Sequence, residues 1–335
     1  MRALQVRELT GPDGVELVDV PDPEPSEGVL VDVEVAGVSF PDLLLSRGRY
    51  QVQQTPPFVP GFEVAGVVRS SPEDSPFSPG DRVMALASGG YAERAVAVPH
   101  LTFPVPDSFS VEQAGGFVMN YHTAHFALHR RGRLREGEVV LVHGAAGGLG
   151  SAIVQVARAF GGRVIAAVSN DAKEEVARRA GAEEVVRSDG DWLGAVKDLT
   201  GGRGVSMVAD PVGGQSFLNS VRALAPEGRV LVLGFAGGHI PTIAVNRLLL
   251  RNVDVVGVMW GGFAMEDEAM CTAIGADLQR MADQGLVDPI VGDAYPLAEG
   301  ARALRQLEGR GALGKIVLLV TDPGANGPGA GSAST

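Results

Sequence analysis

The part of the chain with the clearest chemical meaning is the glycine-rich segment His143–Gly150, which reads HGAAGGLG. It follows the apolar run Val139–Val142, so we expect a strand, a turn and a helix around it. Glycines let a backbone approach a pyrophosphate closely, and free N–H groups at a helix start attract its charge. Aligned with G-x-G-x-x-G, the positions are Ala145, Gly147 and Gly150, so alanine replaces the first glycine. The segment predicts a dinucleotide site, although a tight strand-to-helix turn also needs glycine for steric reasons alone.

The strand after this loop indicates which nucleotide is bound. A chain that binds NAD usually ends this strand with Asp or Glu, which accepts hydrogen bonds from the ribose 2′-hydroxyl. Here the run Arg163–Val168 ends in Ser169, with Lys173 one helical turn later. A hydroxyl and an ammonium suit a 2′-phosphate, which a carboxylate would repel, so NADPH is the expected cofactor. Another interpretation stays open, in which Ser169 caps the helix and Lys173 is solvated, because Asp171 lies close by.

The elements that must position these residues alternate regularly after Val111. Continuous apolar runs such as Val139–Val142 are typical of a parallel sheet that is buried on both faces. Residues 111–130 allow helix. Strands are then expected at 139–143, 163–168, 184–187, 205–209, 229–234 and 253–258, and helices at 150–160, 171–180, 191–199, 215–224 and 266–286.

The first 110 residues have a different pattern. Val29–Val38 alternates apolar and acidic residues around Asp32 and Glu34, as a half-buried strand does. Val64–Val68 and Arg82–Leu86 are short β-branched runs bounded by Pro-Gly turn formers. Many short strands separated by turns indicate a small barrel or sandwich. The whole chain is therefore expected to be an α/β protein of two domains.

Composition and charge exclude several classes of protein. The chain has 335 residues, with 28 Lys+Arg against 40 Asp+Glu and a net charge of −12, which argues against binding to nucleic acid or to an anionic membrane. A single cysteine, Cys271, excludes a disulfide framework and a cysteine-rich metal lobe, and we expect it to be a core thiol. Met1–Glu8 carries charges on both sides of a short apolar patch, so no secretory segment is expected. A cytoplasmic location fits best.

Several separate motifs, in the same order along the chain, resemble a known family. This family is the zinc-independent medium-chain dehydrogenases/reductases of the NADPH:quinone oxidoreductase, or zeta-crystallin-like, group. The resemblance covers residues 1 to about 320. The motifs that carry it are Gly37–Asp42 with Arg47–Tyr50, Pro60–Gly66, His143–Gly150, Thr200–Val205, Asp210–Gly214 and Gly311–Val317.

The resemblance implies a GroES-like β-barrel catalytic domain together with a Rossmann domain, a doubly wound parallel sheet. The expected division is a GroES-like catalytic domain at 1–118, a Rossmann NADPH-binding domain at 119–260, a return to the catalytic domain at 261–320, and a flexible tail at 321–335. It also implies reduction of quinones or activated alkenes (α,β-unsaturated carbonyls) by hydride transfer from NADPH. The strand Val253–Val258 resembles the edge that the family uses for dimers, so a homodimer is expected.

Carried onto this sequence residue by residue, the resemblance gives a cofactor site. Gly147, Gly148 and Leu149 should hold the pyrophosphate, and Ser169 and Lys173 fall on the 2′-phosphate positions. Where relatives often have an aromatic residue near the adenosine, this chain has Arg187–Ser188. The full set of expected cofactor contacts is Thr123, Ala146, Gly147, Gly148, Leu149, Ser169, Lys173, Phe235, Ala236, Gly237, Met259, Trp260 and Arg310.

No metal is expected. Zinc-dependent relatives have a cysteine and a histidine at the positions of Ser39 and Phe62; serine is a poor ligand and phenylalanine is none. His122, His125 and His129 could align on one face of a half-exposed helix, but with no thiolate or paired carboxylates nearby we reject a metal site there.

Tyr50 is the expected catalytic residue. It follows a glycine-containing turn in the first domain, where relatives line the substrate cleft, and its phenol could donate a hydrogen bond to a substrate oxygen. Simple packing at the rim of the cleft is the alternative for Tyr50. For the whole protein, the alternative to an enzyme is a non-catalytic NADPH-binding protein with a structural or RNA-associated role, like a crystallin.

Overall fold

The structure is a computed structural model, and it describes residues 1–24 and 28–321. The expected flexible tail at 321–335 lies outside these residues, apart from residue 321. The described chain contains strands and helices in roughly the alternation that the sequence predicts.

The strands fall into an N-terminal set, a central set and a C-terminal pair. They are β1 (Arg2–Val6), β2 (Val15–Asp19), β3 (Val29–Val38), β4 (Glu63–Ser70), β5 (Arg82–Ser88), β6 (Arg94–Pro104), β7 (Val139–His143), β8 (Arg163–Val168), β9 (Glu184–Arg187), β10 (Val205–Asp210), β11 (Leu224–Val232), β12 (Asp254–Gly257), β13 (Val291–Pro296) and β14 (Lys315–Leu319).

The α-helices mostly follow the central strands. They are α1 (Phe40–Ser46), α2 (Val111–Gly115), α3 (Val118–His125), α4 (Gly148–Ala159), α5 (Asp171–Arg179), α6 (Trp192–Leu199), α7 (Phe217–Ala223), α8 (Asn246–Leu249), α9 (Trp260–Ala264), α10 (Glu268–Asp283) and α11 (Gly300–Glu308). Short 3-10 turns occur at Gly11–Gly14, Gly214–Ser216 and Leu297–Glu299, and a π-helical turn at Phe126–Arg131 continues α3.

The central strands form one six-stranded parallel sheet in the order β12-β11-β10-β7-β8-β9. This is the strand order of a doubly wound dinucleotide-binding fold, so the predicted fold class is confirmed. The largest difference at a strand boundary is at β11, which begins at Leu224 and not near residue 229, because Leu224 already pairs with Val205 ahead of the main run. In this strand order the chain reverses between β7 and β10, where a crevice opens for a ligand.

The remaining long strands form a second sheet, in the order β13-β14-β3-β4-β5-β6. Strand β3 also pairs with β6, which closes β3 to β6 into a barrel. Strand β14 returns from the far end of the chain and runs antiparallel to β3, with Ile316 opposite Val38. The barrel has its own apolar core, to which β3, β4, β5 and β14 all contribute.

The segment expected to allow helix at 111–130 is broken after α2 by two adjacent glycines. A Cβ atom on Gly115 would lie 2.4 Å from the side chain of Val35, and one on Gly116 would lie 2.6 Å from that of Lys315. The chain therefore passes directly over β3 and β14 at this point, and it restarts as α3 beside the nucleotide sheet. These close approaches join the barrel to the rest of the molecule.

Two further contacts hold β14 against both sheets. The N–H group of Gly314 donates to the carbonyl of Ala146 at 2.7 Å, and Gly314 forms a β-bridge with Gly147. One residue later, the buried ammonium of Lys315 is paired with the carboxylate of Glu63 on β4. Within the described residues, no helix is long and apolar enough to cross a membrane. The domain limits at 118, 260 and 320 stay predictions.

Candidate active site

The glycine-rich loop leaves β7 and enters α4 at the switch point of the nucleotide sheet. Gly144 has a φ of 60°, so the tight turn is made one residue before the alanine aligned with the first motif glycine. That residue, Ala145, is instead fully buried in the core. A Cβ on Gly150 would lie 2.0 Å from the Gly144 carbonyl oxygen, so the last motif glycine is needed for helix packing.

The start of α4 suits a phosphate group. The helix begins after Gly147, and no side chain caps it. The first N–H groups of a helix have no partner within it, so an uncapped start leaves donors that face an anion. A Cβ on Gly147 would meet only the Gly144 carbonyl, at 3.6 Å, so the loop leaves open space on this side. Ala146 and Leu149 flank the same turn.

The three residues expected at the 2′-phosphate come together in space. The ammonium of Lys173 donates to the Ser169 hydroxyl at 3.2 Å and to the backbone carbonyl of Arg310 at 2.9 Å. Helix α5 is capped by Asn170, whose side chain accepts from the N–H group of Lys173, so the alternative in which Ser169 is the cap is wrong. The ammonium of Lys173 makes two hydrogen bonds within the chain, but both are exposed, so the alternative of a solvated Lys173 stays open.

The acidic residues near this cluster are already paired. Arg187 forms ion pairs with Asp171 and, at 3.1 Å, with Glu174. The positive charge of Arg187 offsets the two carboxylates, which would otherwise repel a phosphate. Arg187 is therefore paired with the acids of α5, and a role of its charge in phosphate binding stays a prediction.

The residues expected on the nicotinamide side differ in exposure. The loop at 235–237 is held to the end of β10, because Ala236 and Gly237 donate to the carbonyls of Pro211 and Val212 at 3.1 and 2.7 Å. Thr123 is half-buried on α3, and Met259 is exposed. Trp260 is buried instead, with its ring 5.3 Å from that of His122. The roles of these residues stay predictions.

A buried polar cluster includes Ser39, one of the two positions at which the family resemblance implies a ligand in zinc-dependent relatives. The ammonium of Lys315 donates to the Ser39 hydroxyl at 2.7 Å, and this hydroxyl donates to Glu63 at 3.2 Å. The other Glu63 oxygen accepts from the N–H group of Met119 at 2.9 Å, at the start of α3. Phe62 directly precedes Glu63 in the chain. The ring of Tyr50 packs against the ring of Phe62, with their centroids 5.6 Å apart.

Sequence reasoning assigned no role to Lys315 or Glu63, although both lie inside motifs that carry the family resemblance. The sequence offered one signal for each residue: Glu63 begins the otherwise apolar run Glu63–Val68, and Lys315 begins the otherwise apolar run Lys315–Val320. A pairing across 252 residues of chain leaves no local pattern to recognise.

Asp42 is a second buried acid beside this cluster. Burial raises the pKa of Asp42 to about 7, although the N–H group of Ser39 and the charge of Lys315 act in the opposite direction. The Tyr91 phenol faces the same carboxyl, and burial followed by the charge of Asp42 raises the pKa of Tyr91 well above its usual value. Burial and the charge of Asp42 also raise the pKa of Tyr50. Tyr50 therefore keeps its proton at neutral pH.

The three histidines have structural partners. His122 and His125 are buried, so the expectation of a half-exposed face was wrong for these two. Burial lowers the pKa of His122 to about 3, and its Nδ1 lies 3.0 Å from the Val118 carbonyl. His125 Nε2 contacts Asp277 of α10 at 2.8 Å. Among the described residues no group of three His, Cys, Asp or Glu side chains is arranged to hold a metal ion.

Cys271 is fully buried in α10, and its thiol contacts the Ala264 carbonyl at 3.5 Å. Burial raises the pKa of Cys271 to about 11, so the thiol stays protonated and unreactive. The expectation of a core thiol is confirmed.

Comparisons with known proteins agree with this architecture. Residues 25–107 match the model for the alcohol dehydrogenase GroES-like domain, and residues 148–274 match the model for zinc-binding dehydrogenases. Together with the two sheets, these matches define a medium-chain dehydrogenase/reductase.

More specific relatives narrow the class. Quinone oxidoreductase-like protein 2 of Rattus norvegicus is 37% identical over 95% of this chain and 91% of its own length. A quinone oxidoreductase from Thermus thermophilus, whose structure was solved alone and with NADPH, is 37% identical with a TM-score of 0.82 over 96% of this chain and all of its own. A probable oxidoreductase from Mycobacterium abscessus is 45% identical with a TM-score of 0.87 over 96% of this chain and 99% of its own. The chain belongs to the quinone oxidoreductase family, and it is an oxidoreductase.

The raised pKa of Asp42 predicts an unusual pH dependence of stability. Folded Asp42 binds its proton up to a pH of about 7, whereas the unfolded carboxyl loses it near 3.8, so folding becomes less favourable as pH rises through this window. The variant Asp42→Asn should therefore gain stability relative to the wild type from about pH 4 to about pH 7. Below about pH 4 the free energies of unfolding of the variant and the wild type should differ by a constant amount. Urea denaturation at stepped pH measures the difference.

An exposed acid provides the matched control for this experiment. Asp198, at the end of α6, is exposed, so Asp198→Asn should give the same pH slope as the wild type. If Asp42→Asn and the wild type also keep parallel curves across the window, the raised pKa of Asp42 is contradicted.

Proposed function

We propose that this protein reduces quinones or α,β-unsaturated carbonyls by hydride transfer from NADPH, without zinc. The observation that carries the proposal is the buried contact of the Lys315 ammonium with Ser39, next to Phe62 and Tyr50. Ser39 and Phe62 stand where the family resemblance locates two ligands of zinc-dependent relatives. A metal-free site of this kind needs an acceptor that is already electron-poor.

The cofactor is NADPH. Ser169, Lys173 and the backbone of Arg310 form a hydrogen-bonded cluster at the end of β8, which suits a 2′-phosphate. The uncapped start of α4 suits the pyrophosphate. The Thermus thermophilus relative was solved in complex with NADPH, which supports the same cofactor here.

The residues of the chain then have distinct tasks, and the bound NADPH supplies the hydride. We assign orientation of its nicotinamide to Thr123, Met259 and the loop at 235–237. A quinone or enone spreads the arriving charge onto a conjugated oxygen, so no strong Lewis acid is required. Tyr50, protonated at neutral pH, donates a hydrogen bond to that oxygen, and water can deliver the proton.

The donor set at the zinc-equivalent positions disfavours a divalent cation. Phe62 has no ligand atom, and the Ser39 hydroxyl is held between Lys315 and Glu63. The Lys315 ammonium would also repel a second positive charge at this short range. The proposed reaction therefore relies on orientation over the nicotinamide, which contributes up to about 7–11 kcal/mol in favourable cases.

An acceptor panel tests the proposed reaction. With NADPH, the enzyme should reduce 1,4-benzoquinone and simple enones, should leave simple ketones unreduced and should oxidise no alcohol. Activity should survive dialysis against EDTA, and the purified protein should contain no stoichiometric zinc. Robust alcohol oxidation or activity lost to EDTA would contradict the proposal. If NADPH binds and no acceptor is reduced, the non-catalytic alternative is favoured.

Tyr50→Phe provides the residue-level part of this assay. Loss of one weak donor should lower turnover by about tenfold to a hundredfold, within the lower range for general acids. Tyr295→Phe is the matched control, because that phenol bonds Gln306 at 2.7 Å on the C-terminal part of the barrel. If the two variants retain equal turnover, Tyr50 only packs at the rim.

The cluster around Lys173 predicts cofactor preference. Charge-assisted hydrogen bonds from Lys173 and Arg310 to the 2′-phosphate should contribute about 1.5–3 kcal/mol each. Lys173→Ala should therefore weaken NADPH binding by about tenfold or more and leave NADH binding nearly unchanged, since about 1.4 kcal/mol is tenfold. Fluorescence titration of both cofactors measures this. Lys197→Ala on α6 is the control, and equal wild-type affinities for the two cofactors would contradict the assignment.

We further propose a homodimer, supported by the free edge of the nucleotide sheet. Strand β12 is the outermost strand on that side, and the side chains of Val245, Leu249 and Leu250 near it are about three-quarters exposed. An exposed apolar patch beside an open strand edge is typical of an interface between subunits. Leu249→Glu should shift the protein to monomer in sedimentation velocity, whereas Leu199→Glu on α6 should not. A monomeric wild type would contradict the proposal.

The remaining proposals concern location and partners. We propose a cytoplasmic enzyme with small-molecule substrates and no nucleic-acid or membrane partner. The net charge of −12 and the single cysteine, a buried free thiol, support this. Fractionation of cells would contradict it if the protein were recovered with membranes or nucleic acid.

A further inference from the structure

A small cavity opens beside Phe62, on the barrel side of the proposed reaction site. Its volume is about 200 Å³. None of the residues that line it is charged, and Gln54 and Ser88 are its polar side chains. Most of the wall is apolar, formed in large part by Leu45, Val59, Phe62, Leu86, Val98 and Met265.

Phe62 connects this cavity to the proposed proton donor. The same ring forms part of the cavity wall and packs against Tyr50, with centroids 5.6 Å apart and planes inclined at 54°. Phe62 therefore belongs both to the surroundings of the Tyr50 ring and to the wall of the cavity. Most of the cavity is built by the barrel domain, and none of the expected cofactor contacts is among the residues that line it.

Met265 forms the part of the wall contributed from outside the barrel. It directly follows α9, the helix that begins at Trp260, and its side chain is 60% exposed. A thioether on three rotatable bonds adapts to apolar groups of different shape. The mouth of the cavity is therefore both apolar and adjustable, whereas its inner wall includes the buried side chain of Leu45.

We propose, on the basis of the function proposed above, that this cavity takes an apolar substituent of the acceptor. The preferred substrates are then alkyl-substituted quinones or enones, over unsubstituted ones and over ones with a charged substituent. An ionised group would be placed among uncharged side chains without a counter-ion, which is costly. The cavity has the volume of about six or seven water molecules, so it accommodates an alkyl chain of about five carbons.

A homologous series of acceptors tests this preference. We expect kcat/KM with NADPH to rise by about threefold to fourfold per methylene from 2-methyl- to 2-pentyl-1,4-benzoquinone. The rise should stop beyond about six carbons, when the cavity is full. A quinone of matched length that ends in a carboxylate should lose the gain. A flat series, with the unsubstituted quinone still reduced, would overturn the cavity proposal and leave the proposed function standing.

Two variants of the cavity wall should change the chain-length preference in opposite directions. The test therefore does not depend on a single residue. Met265→Gln keeps the length of the side chain and adds polarity, and it should reduce the pentyl-to-methyl ratio of kcat/KM by about threefold or more. Gln54→Leu should increase that ratio. Leu199→Gln, an exposed leucine on α6, is the matched control and should leave the ratio unchanged. Ratios unchanged in both wall variants would overturn the proposal.

A binding measurement with the alkyl series distinguishes a failure of the cavity proposal from a failure of the proposed function. If no quinone or enone is reduced, the function proposal fails, and the same alkyl series can be titrated calorimetrically as hydroquinones against the NADPH-loaded protein. An affinity that rises with chain length supports the cavity, and an affinity that does not rise overturns it.

Discussion

The buried ion pair between Lys315 and Glu63 is the interaction on which the rest of the site depends. It joins the last strand of the barrel to β4, and the second oxygen of Glu63 holds the first turn of α3. Removing one member of such a pair typically costs about 3–5 kcal/mol, because the other charge remains buried without a partner. The stem of Lys315 also passes close to Gly116 and Gly148, where larger residues would collide with it. The position of the cofactor loop and that of the proposed reaction site are therefore fixed by one side chain.

The same pair supports the proposal that this site works without a metal. The Lys315 ammonium is attached to β14 and hydrogen-bonded to Ser39 and Glu63, whereas a metal ion can exchange its ligands during a reaction. The ammonium orients hydroxyl and carboxylate groups and leaves the activation of the substrate to the substrate's own conjugation. The chemistry proposed here follows from this exchange of a Lewis acid for a fixed ammonium.

The sequence predicted the local features well and the long-range contacts poorly. The continuous apolar runs gave the parallel sheet, and the loop at 143–150 and the pair Ser169 and Lys173 were found because each lies within one βα unit. The partner of Glu63 was missed because it lies at the other end of the chain. The alignment with the motif gave Gly144 no role, because the motif is defined by the spacing of glycines and not by their dihedral angles. His122 and His125 were expected to be half-exposed because the partner helix α10 is distant in sequence.

The return of β14 to β3 has a consequence for the order in which this protein assembles during synthesis. The nucleotide sheet uses only strands between residues 139 and 257, so all its partners have been made before the barrel is complete. Strand β3 leaves the ribosome well before β14, so one of its edges has no β14 partner until residues 315–319 are translated. The barrel strands β3 to β6 are therefore made first, and β14, which pairs with the Val35–Val38 end of β3, is added after a second sheet that is already able to fold. That end of β3 has to remain unassociated with other chains until β14 is made.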